Sequence, residues 1–130
     1  MKLPIRVSEN SREPIYHQIE TQLKTLIVGG QLPPDTPLPS IRVLASDLAC
    51  SVITTRRAYQ NLEASGYIKT IQGKGTFVKE IENLHIKETK VKVVYDALRK
   101  AIEQGIQLGS TKDEIRIIFE EALTKQDQEE

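Results

Sequence analysis

Arg42, Arg56, Arg57 and Lys74 are the residues of this chain best suited to chemistry, and the chemistry they suit is recognition of anions. Arg56 and Arg57 close the stretch Ser51-Val52-Ile53-Thr54-Thr55-Arg56-Arg57. A guanidinium is a flat fork of N–H donors that matches phosphate oxygens and the paired acceptors of a guanine edge. Lys74 stands between glycines in Gln72-Gly73-Lys74-Gly75. Glycines permit positive φ, so such a tip can bring backbone against a phosphate or enter a minor groove. An arginine pair is ordinarily a solvated helix face, and a lysine an ordinary hairpin tip. The elements around them favour the sharper reading.

Ser40 follows a proline and can cap a helix in which Ile41, Leu44, Ala45 and Leu48 share a face. That pattern breaks at Ala49-Cys50. Ser51 then caps a second helix over residues 52–64, with Thr55, Ala58, Tyr59 and Leu62 as its core stripe. Ser51, Ile53, Thr54, Arg56, Arg57 and Gln60 fall on its first turn and opposite face. Those are the positions that reach base edges when a helix enters a major groove. Gly66 ends it, and residues 67–71 and 76–79 read as two strands joined through Gln72, Gly73, Lys74 and Gly75. Two helices, a tight turn and a hairpin are the outline of a winged helix-turn-helix.

Upstream, residues before Arg12 read as a mobile arm with a short extended piece over 3–7. Pro14 suits the first position of a helix whose stripe is Ile15, Ile19, Leu23, Leu26 and Ile27, ended by Gly29-Gly30. Residues 31–39 contain four of the six prolines and should form a stiff loop. Downstream, Ile81, Leu84, Val91, Val94, Tyr95, Leu98, Ala101 and Ile102 continue at helical spacing. A break is expected at Ile106-Gln107-Leu108. Ser110 to Asp113 then reads as a capping box opening a last helix with Ile115, Ile118, Phe119 and Ala122 on one face. Residues 125–130 should fray.

The chain has 130 residues and no net charge. Its halves differ. Through Glu80, ten Lys and Arg against seven Asp and Glu leave +3, and the remainder carries −3. No apolar run approaches the ~20 residues of a membrane span, and the start lacks the apolar core of a secretion signal, so a cytoplasmic, membrane-free protein is expected. Cys50 is the single cysteine; it reads as inert packing in the turn. His17 and His85 lack a metal-ligand spacing, and Glu120-Glu121 diverge on a helix. Tyr16, Tyr59, Tyr67 and Phe77 read as core. No catalytic residue, cofactor loop or metal site is expected, and hence no enzyme.

Five ordered motifs then carry a resemblance: Pro14-Ile15-Tyr16-His17-Gln18-Ile19, Leu38-Pro39-Ser40-Ile41-Arg42-x-Leu44-Ala45, Thr54-Thr55-Arg56-Arg57-Ala58-Tyr59-x-x-Leu62, Gly66-Tyr67-Ile68 and Gly73-Lys74-Gly75-Thr76-Phe77-Val78. Together they resemble the DNA-binding domain of GntR-family bacterial transcription regulators, and the short tail is similar to that of the YtrA-like subgroup. The resemblance implies that Arg42 contacts phosphate or a base, that Thr54 and Arg56 lie in the major groove, and that Gln72, Gly73 and Lys74 form a wing in the minor groove. The expected fold is mainly α with a small β-hairpin: a winged helix-turn-helix over residues 1–79, followed by a C-terminal helical dimerisation hairpin over 80–130. The expected function is a homodimeric regulator, a repressor, on a palindromic operator in double-stranded DNA. By resemblance it controls a transport operon, with room for a small-molecule effector of unidentified chemistry. The competing reading is a winged-helix module that binds protein without sequence-specific DNA contact.

Overall fold

The computed structural model describes residues 2–129, with the side chains of Asn83, Leu84 and Glu129 outside that description; the expected core role of Leu84 lies there too. The chain divides into two compact units, Met1–Ile86 and Lys87–Glu130. In order, the elements are α1 (Ile15–Val28), β1 (Pro37–Leu38), α2 (Ile41–Leu48), α3 (Val52–Ala64), β2 (Ile68–Ile71), β3 (Gly75–Val78), α4 (Asn83–Gln107) and α5 (Lys112–Glu129).

The first unit is a winged helix-turn-helix. Ile19, Leu23 and Ile27 of α1 meet Ala58, Tyr59 and Leu62 of α3, with Leu44, Ile68 and Val78 closing the core. Both expected serine caps form. The Val43 N–H donates to Ser40 Oγ at 3.2 Å, and the Thr54 N–H to Ser51 Oγ at 3.0 Å. Between these helices the chain turns on Ala49, at φ 54° and ψ 44°. The N–H groups of Ala49 and Cys50 reach back to the carbonyls of Ser46 and Ala45, the paired bonds of a Schellman ending. An alanine thus holds a left-handed position that is usually given to glycine, at a cost of about 1 kcal/mol.

Three expectations about this unit are corrected. The hairpin is part of a three-stranded antiparallel sheet ordered β1-β3-β2, because Pro37 and Leu38 pair with Phe77 and Thr76. A proline-rich strand is tolerated there because β1 lies at the edge, where a missing N–H costs no ladder bond. The N-terminal arm is docked: Leu3 and Ile5 are buried in the core. Its backbone is held by two glutamines of α1. Gln22 accepts from the Arg6 N–H at 2.9 Å and donates to the Arg6 carbonyl at 2.6 Å. Gln18 does the same for Ser8 at 2.8 and 3.0 Å. Four helical residues rise about 6 Å, and two extended residues about 6.7 Å, so the side-chain amides fall in step with the arm. Finally, Phe77 is half-buried and outside the core cluster, whereas Tyr59 and Tyr67 are core and the half-buried Tyr16 packs against it.

In the second unit, α4 stops at Gln107, inside the expected break, and the chain turns at Leu108 and Gly109, which has φ 89°; Ser110 and Gly109 donate to the carbonyls of Gly105 and Ile106. Ile115 rests against Gly105, where an added Cβ would lie 3.1 Å from its Cδ1. Beyond that contact the apolar residues are exposed: Val91, Val94, Tyr95, Leu98 and Ile102 on α4, and Ile117, Ile118, Phe119 and Leu123 on α5.

The capping box of α5 sits one residue later than expected, on Thr111 and Glu114. Glu114 N–H donates to Thr111 Oγ1 at 3.1 Å, and Thr111 N–H donates to Glu114 Oε1 at 3.0 Å. The signature is Thr-x-x-Glu, and Glu reaches back across the turn better than the shorter Asp113. These bonds hold the Glu114 carboxyl below its ordinary value, the backbone donor being the larger cause. A lowered folded value stabilises above the unfolded pKa and is lost as pH falls through the folded one. Protection of the Thr111 and Glu114 amides against hydrogen exchange, relative to the unstructured rate at each pH, should therefore diminish as pH falls through the glutamate range. In Glu114→Gln, whose amide oxygen still accepts, this acid step should vanish.

Candidate nucleic-acid interface

One face of α3 is committed to the core, and the other is open. Thr55, Ala58, Tyr59 and Leu62 are buried. Tyr59 is anchored at its far end, where the hydroxyl donates to the Pro39 carbonyl at 2.7 Å, and burial pushes its phenol above the ordinary value. Asn61 donates to the buried Glu20 of α1, so a polar pair joins the two helices beside the apolar contact. Thr55 Oγ1 donates to the Ser51 carbonyl at 3.1 Å and lies 3.3 Å from Cys50 Sγ, which ties the half-buried thiol into the turn. These contacts fix where the outward residues project.

Ser51, Ile53, Arg56, Arg57 and Gln60 are exposed on that outward side, and Thr54 is half-buried. The Ser51 hydroxyl donates to Thr54 Oγ1 at 2.8 Å, which leaves the Thr54 hydroxyl hydrogen available to an acceptor outside. Ile53 is 77% exposed. Arg57 differs from its neighbour: its guanidinium stacks 3.8 Å from the Tyr16 ring centroid. The stack restrains Arg57 on the α1 side, a positioning role for Tyr16 that the sequence reading assigned to core filling. Arg42 is exposed on the first turn of α2. Among the described residues, none of Arg42, Arg56 and Lys74 has an ion-pair partner.

The wing begins directly after α3. Ile71 pairs with Gly75, and the Lys74 N–H donates to the Ile71 carbonyl at 2.9 Å, closing the tip on Gln72 and Gly73. Gly73 has φ 80° and Gly75 φ 120°, and an added Cβ at either meets open space. Gln72, Gly73, Lys74 and Gly75 are all exposed. Two contacts brace the strands: Thr70 Oγ1 donates to Glu63 Oε2 at 3.0 Å, and Lys69 pairs with Asp35 at 2.7 Å. The Lys69 pair is surface-exposed and contributes at most ~1 kcal/mol, so it guides the wing more than it stabilises it.

A capped helix with an open cationic face, preceded by a second helix and followed by a glycine-bounded basic wing, defines a DNA-binding winged helix-turn-helix. The description "Bacterial regulatory proteins, gntR family" matches residues 15–78. The chain is 35% identical to the transcriptional repressor YtrA of Bacillus subtilis over 98 residues, 75% of each chain. It is 34% identical to the transcriptional regulator YhcF of the same organism, over 81% of this chain and 86% of that one. Among solved structures, a GntR family transcriptional regulator from Listeria monocytogenes superposes with a TM-score of 0.70 at 28% identity, covering 86% of this chain and 97% of that one. YtrA from Sulfolobus acidocaldarius does so at 0.57 and 36%, covering 73% and 97%. The chain belongs to the GntR family, as a YtrA-like member, and the family comprises transcription regulators and not enzymes. Among the described residues, no helix is long and apolar enough to cross a membrane.

The wing glycines differ in what they tolerate. Gly73→Ala meets no steric obstacle and should lower the stability of the first unit by about 1 kcal/mol through backbone strain alone. Gly75→Ala, at a φ beyond the left-handed well, should cost more. Urea denaturation of the two variants would check that order.

Proposed function

We propose that this protein is a sequence-specific regulator, a repressor, that binds a palindromic operator as a homodimer. Residues 1–79 contact DNA and residues 80–130 hold two copies together. Arg56 and Thr54 read base edges in the major groove. Ile53 faces the same groove, Ser51 and Arg57 approach the backbone beside them, and Arg42 contacts phosphate. Gln72, Gly73, Lys74 and Gly75 enter the adjacent minor groove. The observation that supports this best is the open face of α3, where Arg56 stands beside a capped N-terminus with no acid to satisfy it among the described residues. Winged helices can also bind protein, but unpaired cations on helix and wing together favour a polyanion. Resemblance to the YtrA-like subgroup favours control of a transport operon. A small effector, if the protein takes one, has no pocket residues assigned to it.

Support for the homodimer is the exposed apolar stripe of α4 and α5. A monomer would leave these side chains in water, and a large contiguous apolar patch on a soluble protein ordinarily marks an interface. Two-fold symmetry then sets the recognition helices about one turn of DNA apart.

The full chain should prefer duplex from upstream of its own gene over random duplex, with affinity falling steeply as salt rises. Arg56→Ala should weaken specific binding by ~1 to 3 kcal/mol in a titration by fluorescence anisotropy. Equal affinity for both duplexes would remove the operator reading. In light scattering, the unaltered chain should have twice its monomer mass, and Leu98→Glu with Phe119→Glu should halve it.

A further inference from the structure

Among the described residues of the first unit, Ile53 is the most exposed large apolar side chain, at 77%, against 50% for Val43 and 41% for Ile71. Among the described residues it belongs neither to the core cluster nor to the side chains packed against it. Helix formation does not select it either, because a β-branched side chain loses rotamer freedom in a helix. It occupies the second position after the Ser51 cap, flanked by the Ser51 and Thr54 hydroxyls. Arg56 follows three residues later and therefore lies on the same outward side. An exposed apolar group set among polar ones on a groove-facing turn suits one feature of a base pair's major-groove edge, the C5-methyl of thymine.

We propose that Ile53 is a specificity-determining residue that reads a thymine methyl in each half-site of the operator. This deepens the DNA reading above and rests on it. Three helical residues rise about 4.5 Å, and stacked base pairs are about 3.4 Å apart, so the thymine lies within roughly two base pairs of the base read by Arg56. If that base is guanine, whose N7 and O6 match a guanidinium, each half-site carries a thymine and a guanine at this close spacing. Losing the methyl contact should weaken binding about fourfold, the equivalent of one buried carbon.

The test uses the full chain and a pool of duplexes with a randomised central segment. Selection for binding gives the half-site, and each thymine of the best duplex is then replaced by deoxyuridine, which lacks only the methyl. One thymine per half-site should show the fourfold loss with the unaltered protein. With Ile53→Ala, thymine and deoxyuridine at that place should bind alike. If Ile53→Ala fails to fold by circular dichroism, Ile53→Val serves, with a reduced methyl effect expected. Enrichment of a half-site in which no thymine methyl matters, or matters equally without Ile53, would overturn this inference and leave the operator reading intact. Failure to enrich any sequence would overturn both.

Discussion

The packing of α3 against α1 is the contact on which the rest depends. Its period of 3.6 residues sorts side chains without further instruction: Thr55, Ala58, Tyr59 and Leu62 go inward, and the intervening residues have nowhere to go but out. Binding rigidity then comes from the inner face. Because Leu62 and Ala58 are fully buried and Tyr59 is tied to the Pro39 carbonyl, α3 cannot roll without breaking the core, and Arg56 inherits that fixed direction. The buried Glu20 with its Asn61 donor adds a directional bond to an otherwise slippery apolar contact.

Much of this was legible before any coordinates. Ser40 and Ser51 are local signals, since a cap is read from a hydroxyl next to an apolar period, and the glycines at the wing tip announce a turn by their own chemistry. What was not legible depends on partners remote in sequence. Leu3 and Ile5 look like a loose arm until α1 supplies Gln18 and Gln22, and the edge strand at Pro37-Leu38 exists only because β3 lies beside it. Tyr16 reads as core from its place near an apolar stripe and does pack against the core, but its second role as the platform for Arg57 depends on a residue of α3. The α5 cap is ambiguous in the sequence because Asp113 and Glu114 are adjacent acids, and the box forms on Thr111 and Glu114.

Overall charge is a poor guide here. The chain is neutral, and its acidic excess lies in the half that carries α4 and α5. What matters for an anion is whether nearby cations are already satisfied. Lys69 pairs with Asp35 and Arg116 with Asp113, while Arg42, Arg56 and Lys74 have no such partner among the described residues. A small number of unsatisfied charges on rigid elements can therefore define a binding surface that a whole-chain sum conceals.

The two glutamines of α1 act like a vernier. Their amides meet the arm at every second residue, so sliding the arm by a single position would turn both toward side-chain edges and would also pull Leu3 and Ile5 out of the core. The arm is consequently far more tolerant of a changed exposed residue than of a changed length. Inserting or deleting one residue between Arg6 and Ser8 would strand one amide, whereas the exposed turn after Ser8 can absorb such a change, so the spacing of this short stretch matters more than its composition.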